Sequence, residues 1–314
     1  TTVFSPDFFK SCDILFLCAP VISISKLLEQ LRNHIPNHCI ITDVGSVKGF
    51  IAESIAMLNL SSHYIGGHPM AGSERSGYEH ASERLFENAY YVLSPSPASK
   101  AEDLALMKQL VASIGALPIV LPAPLHDHAT GVISHLPHII AASLVQFLKQ
   151  QDTADELMKT LAAGGFKDIT RIASSSPAMW KDICLTNESE LYDLLDQFTD
   201  YLSEVKQIIR QKNEPKLIHF FEEARDYRNS MTDHKQGSIT RVFALYCDIP
   251  DETGIIATIA TILAEHKISI KNIGIINNRE FEDGVLRIEF YDADSVEQAA
   301  ILLRKREYII CKQL

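Results

Sequence analysis

Short apolar segments alternate with amphipathic ones along the first third of the chain, and this alternation constrains the fold more than any other feature. Residues 13–20 and 39–44 are apolar runs that end at Pro20 and Gly45, and residues 22–33 between them carry Ile and Leu at helical spacing. Strands that are apolar throughout and alternate with amphipathic helices are typical of a parallel sheet covered on both faces. The pattern therefore predicts an α/β domain of the doubly wound, Rossmann type.

The sheet is expected to continue, but its opening turn is absent. The further predicted elements are helices from near Ser46 and at 100–114, and strands at 63–66, 90–93 and 119–121. A dinucleotide site of this fold needs a GxGxxG turn after its first strand and an acidic residue about 20 positions beyond it. Residues 1–20 contain no such turn. Residues 1–124 are therefore predicted to form an incomplete dinucleotide-binding domain that lacks at least one βαβ unit.

This incompleteness carries an expectation about the cofactor. The chain begins with Thr1 rather than Met, which fits a fragment or a processed product. In the complete fold, backbone N–H groups of the glycine turn and a helix N-terminus hold the pyrophosphate. If the 314 residues were the whole molecule, we would expect binding of a nicotinamide cofactor to be severely weakened.

Residues 125–230 are predicted to form a helical domain. Residues 128–149 are rich in Ile, Ala, Leu and Val, and Pro137 predicts a helix that either starts near Ser134 or is kinked. Residues 188–212 place apolar residues at steps of three and four, which predicts a helix with one apolar face. Such a face is typical of core packing, and long helices of this kind also suit a dimer interface.

A small third domain is predicted at residues 238–314, after a polar linker at 229–238. Its predicted elements are strands at 240–248, 268–276, 284–291 and 307–311 and helices at 255–266 and 294–304. This βαββαβ order is that of the ferredoxin-like unit. Because the segment shows no recognisable nucleophile–base pair or metal-ligand cluster, a binding or regulatory role is favoured over catalysis.

The composition is typical of a soluble globular protein. Hydrophobic residues make up 46% and charged residues 22%, with a net charge of −11. A pI of about 5.5 argues against nucleic acid or an anionic membrane as partner, although a buried pocket can still bind an anion. No signal peptide or apolar run of transmembrane length is recognised. The six cysteines show no CxxC spacing, so reduced thiols and a cytoplasmic location are expected.

Two segments carry the strongest chemical signals. In residues 66–74, GGHPMAGSE, His68 is the natural candidate for a general base, because the pKa of histidine lies nearest neutrality. The alternative is a loop in which His68 only caps a strand. Residues 43–49, DVGSVKG, follow a buried strand at the carboxyl edge of the sheet, where ligands bind. There Ser46 either caps the next helix alone or also offers its hydroxyl to a ligand.

Four histidines at 126, 128, 135 and 138 lie close together in the sequence. A metal site is one interpretation, but no cysteine or acidic cluster completes a ligand set, so no metal is expected. His135 is instead predicted to face a pocket where the helical region meets the sheet. His138 fits a histidine whose hydrogen bonds are satisfied in the core.

Residues 164–172, GGFKDITRI, combine glycines that permit close backbone approach with an arginine. Arg171 can hold a carboxylate through two parallel hydrogen bonds. A surface salt bridge to Asp168 is the alternative, and composition does not decide between them. Trp180 is the only tryptophan of the chain and is expected to pack in the core or line a pocket wall.

Taken together, these motifs resemble those of the prephenate dehydrogenase family of tyrosine biosynthesis, with a C-terminal ACT domain. The segments that carry the resemblance are DVGSVKG (43–49), GGHPMAGSE (66–74), HDHATGVISHLPH (126–138) and GGFKDITRIASSSPAMW (164–180). The resemblance spans essentially all of the chain, which departs from the family pattern only in lacking the glycine fingerprint. It implies a dinucleotide-binding domain, a helical dimerisation domain, a homodimer, NAD as cofactor, and oxidative decarboxylation of prephenate to 4-hydroxyphenylpyruvate.

The resemblance also implies roles for single residues. His68 is similar to the histidine that accepts the proton of the substrate's ring hydroxyl, and Ser46 to the serine that orients them. His135 and Arg171 are similar to a substrate-binding histidine and a carboxylate-binding arginine. The implied pocket mouth is Ser73, Glu74 and Asp168, with the two acids forming an ionic gate with Arg171, and the implied cofactor contacts are Cys18, Ala19, Pro20, Val44 and Gly45.

Residues 248–254, DIPDETG, resemble the strand-to-helix loop of ACT domains. The resemblance implies that Asp248 and Gly254 border a site for a free amino acid at an interface between two such domains. Tyrosine, the end product of the pathway, is the expected effector. The alternative is a tight turn capped by Thr253.

Other interpretations stay open at this point. Arogenate, the amino analogue of prephenate, is the close alternative substrate, and the sequence does not separate NAD from NADP. A truncated chain that binds substrate or tyrosine but not NAD is a second alternative. A relative of the β-hydroxyacid dehydrogenases is a third, against which the GGHPMAGSE segment argues.

Overall fold

The fold was obtained as a computed structural model, which describes residues 9–72, 81–82, 84–231, 243–249, 252–276, 284–306 and 308–311. The chain divides into two compact units, Thr1–Asn213 and Glu214–Leu314. The first unit contains the sheet of the N-terminal region and most helices of the middle region. The second contains one helix of the middle region and the C-terminal sheet.

The first unit is built around a five-stranded arrangement. Its strands are β1 (Ile14–Leu17), β2 (Ile40–Asp43), β3 (Ile65–Pro69), β4 (Tyr90–Pro95) and β5 (Leu117–Val120). The helices among them are α1 (Val21–Leu31), α2 (Gly49–Met57) and α3 (Ala101–Ser113). β1 pairs in parallel with β2, and a parallel bridge between Ile41 and Tyr64 joins β2 to the residue before β3. These three strands therefore point their carboxyl ends at the same edge.

The remaining two strands correct the prediction of a wholly parallel sheet. β4 pairs antiparallel with β3, and β5 pairs in parallel with β4. Parallel neighbours need a crossover connection, which is usually a helix. The described residues between β3 and β4, at 70–72, 81–82 and 84–89, form turns and irregular segments. The prediction was wrong here because the apolar character of a strand does not reveal its direction.

Helices cover both faces of this sheet, as the apolar strands predict. Ile40 and Ile41 are neighbours on β2 and point to opposite faces. Ile41 belongs to a buried cluster with Leu28 of α1 and Ile51 of α2. Ile40 belongs to a second cluster, which contains Met107 of α3. The strand ends are therefore held between two packed layers.

The middle region is helical, with one long run at its start. Its helices are α4 (Ala123–Thr130), α5 (Leu136–Gln151), α6 (Leu157–Leu161), α7 (Gly164–Thr170), α8 (Pro177–Thr186) and α9 (Glu188–Arg210). α4 continues into α5 through a π-helical turn at Gly131–His135. Pro137 is the second residue of α5 and directly follows this wider turn, where the regular α-helical hydrogen-bond pattern is already interrupted. α5 therefore begins two residues after the predicted start near Ser134, and it continues the run of α4.

By length and composition alone, the run Ala123–Gln151 could cross a membrane, which corrects the expectation that no such segment occurs. The core helix of a globular protein passes the same test. This run carries His126, Asp127 and His135, each buried within the first unit. These groups are hydrogen-bonded to partners within the first unit, which a lipid environment would not offer, so this part of the run packs against the protein.

The second unit begins with α10 (Glu214–Ser230) and continues as a small α/β sandwich. Its other elements are β6 (Phe243–Ile249), α11 (Ile255–Glu265), β7 (Ile270–Ile276), β8 (Gly284–Phe290), α12 (Ala293–Arg304) and β9 (Ile309–Cys311). The strands are antiparallel in the order β7-β8-β6-β9. This order matches the predicted ferredoxin-like unit. The predicted linker lies outside the described residues from position 232 onward.

Candidate active site

The carboxyl ends of β1, β2 and β3 bring the predicted nucleotide-edge residues together. Leu17 and Asp43 are register partners at the ends of β1 and β2, so residues 18–20 and 44–46 follow side by side. His68 lies near the end of β3, which runs in the same direction. The structure thus places at one edge the predicted residues Cys18, Ala19, Pro20, Val44, Gly45, Ser46 and His68.

His68 forms a continuous hydrogen-bonded chain with two residues of α4. Its Nδ1 lies 2.8 Å from Nε2 of His126, and Nδ1 of His126 lies 2.7 Å from Oδ1 of Asp127. The carboxylate of Asp127 also accepts the backbone N–H groups of Lys48 at 2.7 Å and of Gly49 at 2.6 Å. The helical region therefore contacts both the catalytic candidate and the start of α2.

The electrostatic surroundings of His68 keep its imidazole neutral. Burial lowers the pKa of His68 well below its ordinary value, and electrostatic repulsion from His126, Lys48 and His135 opposes a positive charge on His68 and lowers that pKa further. A histidine with a lowered pKa is unprotonated at neutral pH. His68 therefore has a lone pair with which to accept a proton.

Beneath His68, a fully buried ion pair fixes the strand ends. The ammonium of Lys48 pairs with Asp43 and donates to the carbonyl oxygen of Gly67 at 2.7 Å. The carboxylate of Asp43 also accepts the hydroxyl of Tyr64 and the N–H of Gly45, each at 2.7 Å. Burial lowers the pKa of Lys48, an effect that Asp43 opposes. The cluster joins the end of β2 to the residue that precedes His68.

The close approach of β2 and β3 explains a glycine next to His68. A Cβ added to Gly67 would collide with the carbonyl oxygen of Asp43, and it would also lie 3.0 Å from the Tyr91 hydroxyl. No side chain fits at this position. The GGH sequence is therefore required by the packing that positions the histidine.

Ser46 lies half-buried in the loop before α2. The N-cap position of α2 is Lys48, without a side-chain capping bond. Asp127 of α4 binds the first N–H groups instead. The interpretation of Ser46 as the helix cap was therefore wrong, and its role toward a ligand stays a prediction.

His135 is fixed by a long-range partner. Its side chain is buried, and its Nδ1 lies 3.1 Å from the Asn187 amide nitrogen, which also donates to the backbone carbonyl of Asp127 at 3.1 Å. Because the amide donates, Nδ1 of His135 is the acceptor and its hydrogen lies on Nε2. Burial lowers the pKa of His135 to about 4, so this imidazole is also neutral near pH 7.

The four neighbouring histidines have separate partners. His126 binds His68 and Asp127, and His135 binds Asn187. His128 lies 2.9 Å from Glu190, while His138 stacks on Trp180 with ring centroids 3.4 Å apart. Within the ranges that the structure covers, no group of three or more His, Cys, Asp or Glu residues is arranged to hold a metal.

Arg171 and Asp168 lie on the helical side of the molecule. Asp168 is on α7 and Arg171 begins the following 3₁₀ turn, so they share a helical face and both are exposed. A Cβ on Gly164 or Gly165 would meet no described atom within 4 Å, so these glycines do not mark a close approach in this chain. Both glycines instead lie in the first turn of α7.

A groove of about 800 Å³ lies beside this segment. Its walls include His138, Phe147, Ala173, Ser175 and Trp180, but neither His68 nor Arg171. Trp180 thus lines a pocket wall, as predicted. Ser73 and Glu74, which were predicted to form the pocket mouth, lie outside the described residues.

Replacing His135 with asparagine is expected to reduce the acid sensitivity of the first unit. Below about pH 6.5 the unfolded chain binds a proton at His135 that the folded chain excludes, so stability falls as pH drops toward 4. The loss is at most about 1.4 kcal/mol per pH unit. Asparagine keeps an acceptor for Asn187 but does not titrate.

The measurement is the urea midpoint of the wild type and of His135→Asn at about pH 7 and about pH 5, followed by Trp180 fluorescence. Trp180 is a sensitive local probe, because its ring lies 6.0 Å from that of His135. The wild type should lose more stability than the variant between the two pH values. Equal losses would contradict the assignment.

The fold and this site define a class of protein: an α/β nucleotide-binding domain whose strand edge presents a neutral histidine to a helical domain. The chain matches the family model described as prephenate dehydrogenase, nucleotide-binding domain, over residues 5–120. It matches the model described as prephenate dehydrogenase, dimerization domain, over residues 122–223. The chain belongs to the prephenate dehydrogenase family, as the sequence motifs predict.

Individual relatives agree with this membership. The chain is 39% identical over 299 residues to the prephenate dehydrogenase of Bacillus subtilis, covering 95% of this chain and 81% of that protein. A crystal structure of prephenate dehydrogenase from A. aeolicus, in complex with hydroxyphenyl propionate and NAD+, is similar with a TM-score of 0.68 and 32% identity, over 72% of this chain and 78% of that one. Synechocystis arogenate dehydrogenase gives a TM-score of 0.66 and 31% identity, over 72% and 82%.

Proposed function

We propose that this chain catalyses the NAD-dependent oxidative decarboxylation of prephenate to 4-hydroxyphenylpyruvate in tyrosine biosynthesis. The observation that carries the proposal is the neutral imidazole of His68 at the carboxyl edge of β1–β3, which faces histidines of the helical region. A general base at such an edge suits a substrate whose hydroxyl group loses its proton while a hydride leaves the carbon that bears this hydroxyl.

The residues at the strand edge fit the nicotinamide end of the cofactor. The loops 18–20 and 44–45 lie side by side, and a Cβ on Gly45 would lie only 3.0 Å from Ile51 and 3.1 Å from the Asp43 carboxylate. The packing beneath the edge therefore requires glycine at position 45. NAD, when bound there, supplies the hydride acceptor, and we propose Cys18, Ala19, Pro20, Val44 and Gly45 as its contacts.

The chemistry of prephenate assigns His68 its task. The substrate carries a ring hydroxyl, a ring carboxylate and a pyruvyl side chain. As hydride leaves the carbon that bears the hydroxyl, His68 accepts the hydroxyl proton, and a ketone forms. The bond to the ring carboxylate then breaks, CO2 leaves, and its electron pair makes the ring aromatic. The resulting phenolate oxygen takes the proton back from His68, which returns to its neutral form and is ready for the next turnover.

Ser46 and His135 complete the proposed polar surroundings of the substrate. Ser46 follows the cofactor loop directly and orients the hydroxyl, and His135 presents an Nε2–H donor from the helical side. Orientation of this kind supplies much of the rate of an enzyme whose reaction is already driven by aromatisation. Ser73, Glu74 and Asp168 are proposed to form the mouth of the pocket.

The test is a comparison of substrates with the purified full-length protein. We expect NADH and 4-hydroxyphenylpyruvate to form in equal amounts from prephenate, with a higher kcat/KM than for arogenate. A preference for arogenate would transfer the assignment to that substrate, a possibility raised by the similarity to the Synechocystis enzyme. Absence of NADH formation from either substrate would overturn the proposal.

Arg171 is proposed to bind a carboxylate of prephenate. Arg171→Gln is expected to raise KM for prephenate roughly 10- to 100-fold, because a charged hydrogen bond contributes about 1.5–3 kcal/mol. kcat should change much less, since the contact exists before the reaction begins. Arg210→Gln, at the exposed end of α9, is the matched control. An unchanged KM in Arg171→Gln would remove Arg171 from the site.

For the second unit we propose an ACT domain that binds tyrosine. Gly254 has φ of +91°, a left-handed conformation that glycine adopts without strain, and it is the N-cap of α11. The N-cap of α11 is Gly254 rather than Thr253, and the helix has no side-chain capping bond, so the loop is not the turn capped by Thr253 that was the alternative. Asp248 lies near the end of β6, next to the same loop.

Tyrosine is accordingly expected to change the rate of prephenate turnover. Gly254→Val should abolish that response and leave the basal rate intact, because a β-branched residue resists a positive φ. The measurement is turnover with and without tyrosine, in wild type and variant. A wild-type rate that does not respond to tyrosine would contradict the proposal of a tyrosine-binding domain. It would leave the proposed prephenate dehydrogenase activity unaffected.

We also propose a homodimer formed through the helical region. Large apolar side chains there are exposed in the single chain, such as Ile133, Phe147, Leu161 and Leu185, each more than 60% accessible. Exposure of this extent favours an interface. The thiols of Cys12, Cys18, Cys39 and Cys184 are not in disulfides, which supports a cytoplasmic location.

A further inference from the structure

We propose that Asp127, acting through His126, is a positioning residue that makes Nε2 of His68 the proton-accepting nitrogen. The inference rests on the proposed function, in which His68 is the base. It goes beyond that function because it assigns a role to two residues that are not expected to touch the reacting atoms.

The first step is the direction of each hydrogen bond. An ionised carboxylate only accepts, so Nδ1 of His126 must donate to Asp127 across the 2.7 Å contact. In neutral His126 the other ring nitrogen, Nε2, then carries a lone pair. It accepts from Nδ1 of His68 across 2.8 Å. The proton of neutral His68 is therefore on Nδ1, and its Nε2 is free to act as a base.

The opposite arrangement would disable the site. If Nδ1 of His68 accepted from His126, the hydrogen of neutral His68 would lie on Nε2, which could then only donate. Residue 127 therefore decides which tautomer His68 adopts. It sets which nitrogen of His126 carries the hydrogen, and His126 in turn sets which nitrogen of His68 carries it.

The second step concerns the charge that forms on His68. When Nε2 accepts the substrate proton, the Nδ1 proton of His68 is shared with Nε2 of His126, and positive charge spreads toward Asp127. The carboxylate lies at the far end of this chain and is buried, so its attraction is weakly screened. The proton returns along the same bonds when the phenolate is protonated.

Asp127 is itself held rigidly for this task. Its two carboxylate oxygens accept N–H groups at the start of α2, where the helix dipole favours a negative charge. Its backbone carbonyl accepts from Asn187. Because both its carboxylate and its backbone carbonyl are hydrogen-bonded, Asp127 keeps its carboxylate directed at His126. An acid on a flexible part of the surface would not.

Nitrogen NMR of histidine-labelled full-length protein tests the tautomer without turnover. His68→Asn assigns the His68 signals by their loss. In the wild type we expect Nδ1 of His68 to carry the proton and Nε2 to be unprotonated. A protonated Nε2 in neutral His68 would overturn the proposal, even if Asp127→Asn failed to fold.

Kinetics of Asp127→Asn supply the second readout. The variant should lose roughly 10² to 10⁴ in kcat with little change in KM, because the base is disabled while the binding groups remain. In a His68→Asn background the same change should cost less than about threefold, since the acting group is already gone. A full additional loss in that background would show a merely structural role and contradict the proposal.

Glu190→Gln is the matched control, because it removes a carboxylate from the neighbouring histidine His128 at a comparable 2.9 Å, outside the chain to His68. It should leave kcat unchanged. If the wild type shows the expected tautomer but turns over neither prephenate nor arogenate, the proposed function fails and only the assignment of the His68 tautomer stands. If the wild type is active with the opposite tautomer, the positioning role fails alone.

Discussion

His68→Asn is expected to lower kcat for prephenate by roughly 10² to 10⁴, while KM stays within about threefold. The change removes the proton acceptor but keeps a short polar side chain on β3. Substrate binding is assigned to Arg171 and His135, which the change leaves in place. Only the energy of the transition state should therefore rise.

Steady-state kinetics of NADH formation provide the measurement, with His63→Asn as the control. His63 lies in the 3₁₀ turn five residues before His68 and outside its hydrogen-bonded chain. The control should keep wild-type kcat. Near-normal turnover by His68→Asn would remove His68 from the reaction, and a large rise in KM alone would make it a binding group.

Lys48→Met is expected to lower the free energy of unfolding of the first unit by about 3–5 kcal/mol. It leaves the carboxylate of Asp43 fully buried without its cation, although the Tyr64 hydroxyl and the Gly45 N–H still bind it. Replacing both partners, as Asp43→Leu with Lys48→Met, should recover part of the loss, because no uncompensated charge remains.

Urea unfolding followed by Trp180 fluorescence measures this loss. Lys159→Met is the matched control, since it breaks an exposed pair with Glu156, and such pairs contribute less than about 1 kcal/mol. A loss below about 1 kcal/mol in Lys48→Met would show that the buried pair does not hold the strand ends together.

The helix and strand pattern was predictable wherever the apolar period was regular. β1, α1 and β2, and the βαββαβ order of the second unit, follow from such periods. The direction of β4 did not, because pairing direction depends on a connection whose path has no periodic signal. The π-helical turn at Gly131–His135 was also not predictable, since a wider turn leaves the same apolar residues in place.

The site was predictable in its parts but not in its connections. GGHPMAGSE singles out His68 because histidine, glycines and an acid are adjacent there. Asp127 and Lys48 were missed, although both lie inside recognised segments, because the contacts that join them to His68 are long-range. His126, the neighbour of Asp127, binds His68 from 58 positions away, and Lys48 binds the carbonyl of Gly67 from 19 positions away. The Lys48 N–H and Asp127 are 79 positions apart. Pairs of this kind become visible only once α4 is packed against α2.

The pH dependence of kcat/KM for prephenate tests the central claim, that a neutral His68 accepts the substrate proton. Because the pKa of His68 is lowered, its base form persists below about pH 6.5, the ordinary value for histidine. We expect kcat/KM to stay flat through the ordinary histidine pKa and to fall only on its acid side, in a limb that His68→Asn abolishes. A limb centred at or above about pH 6.5, or one that survives in His68→Asn, would contradict the account.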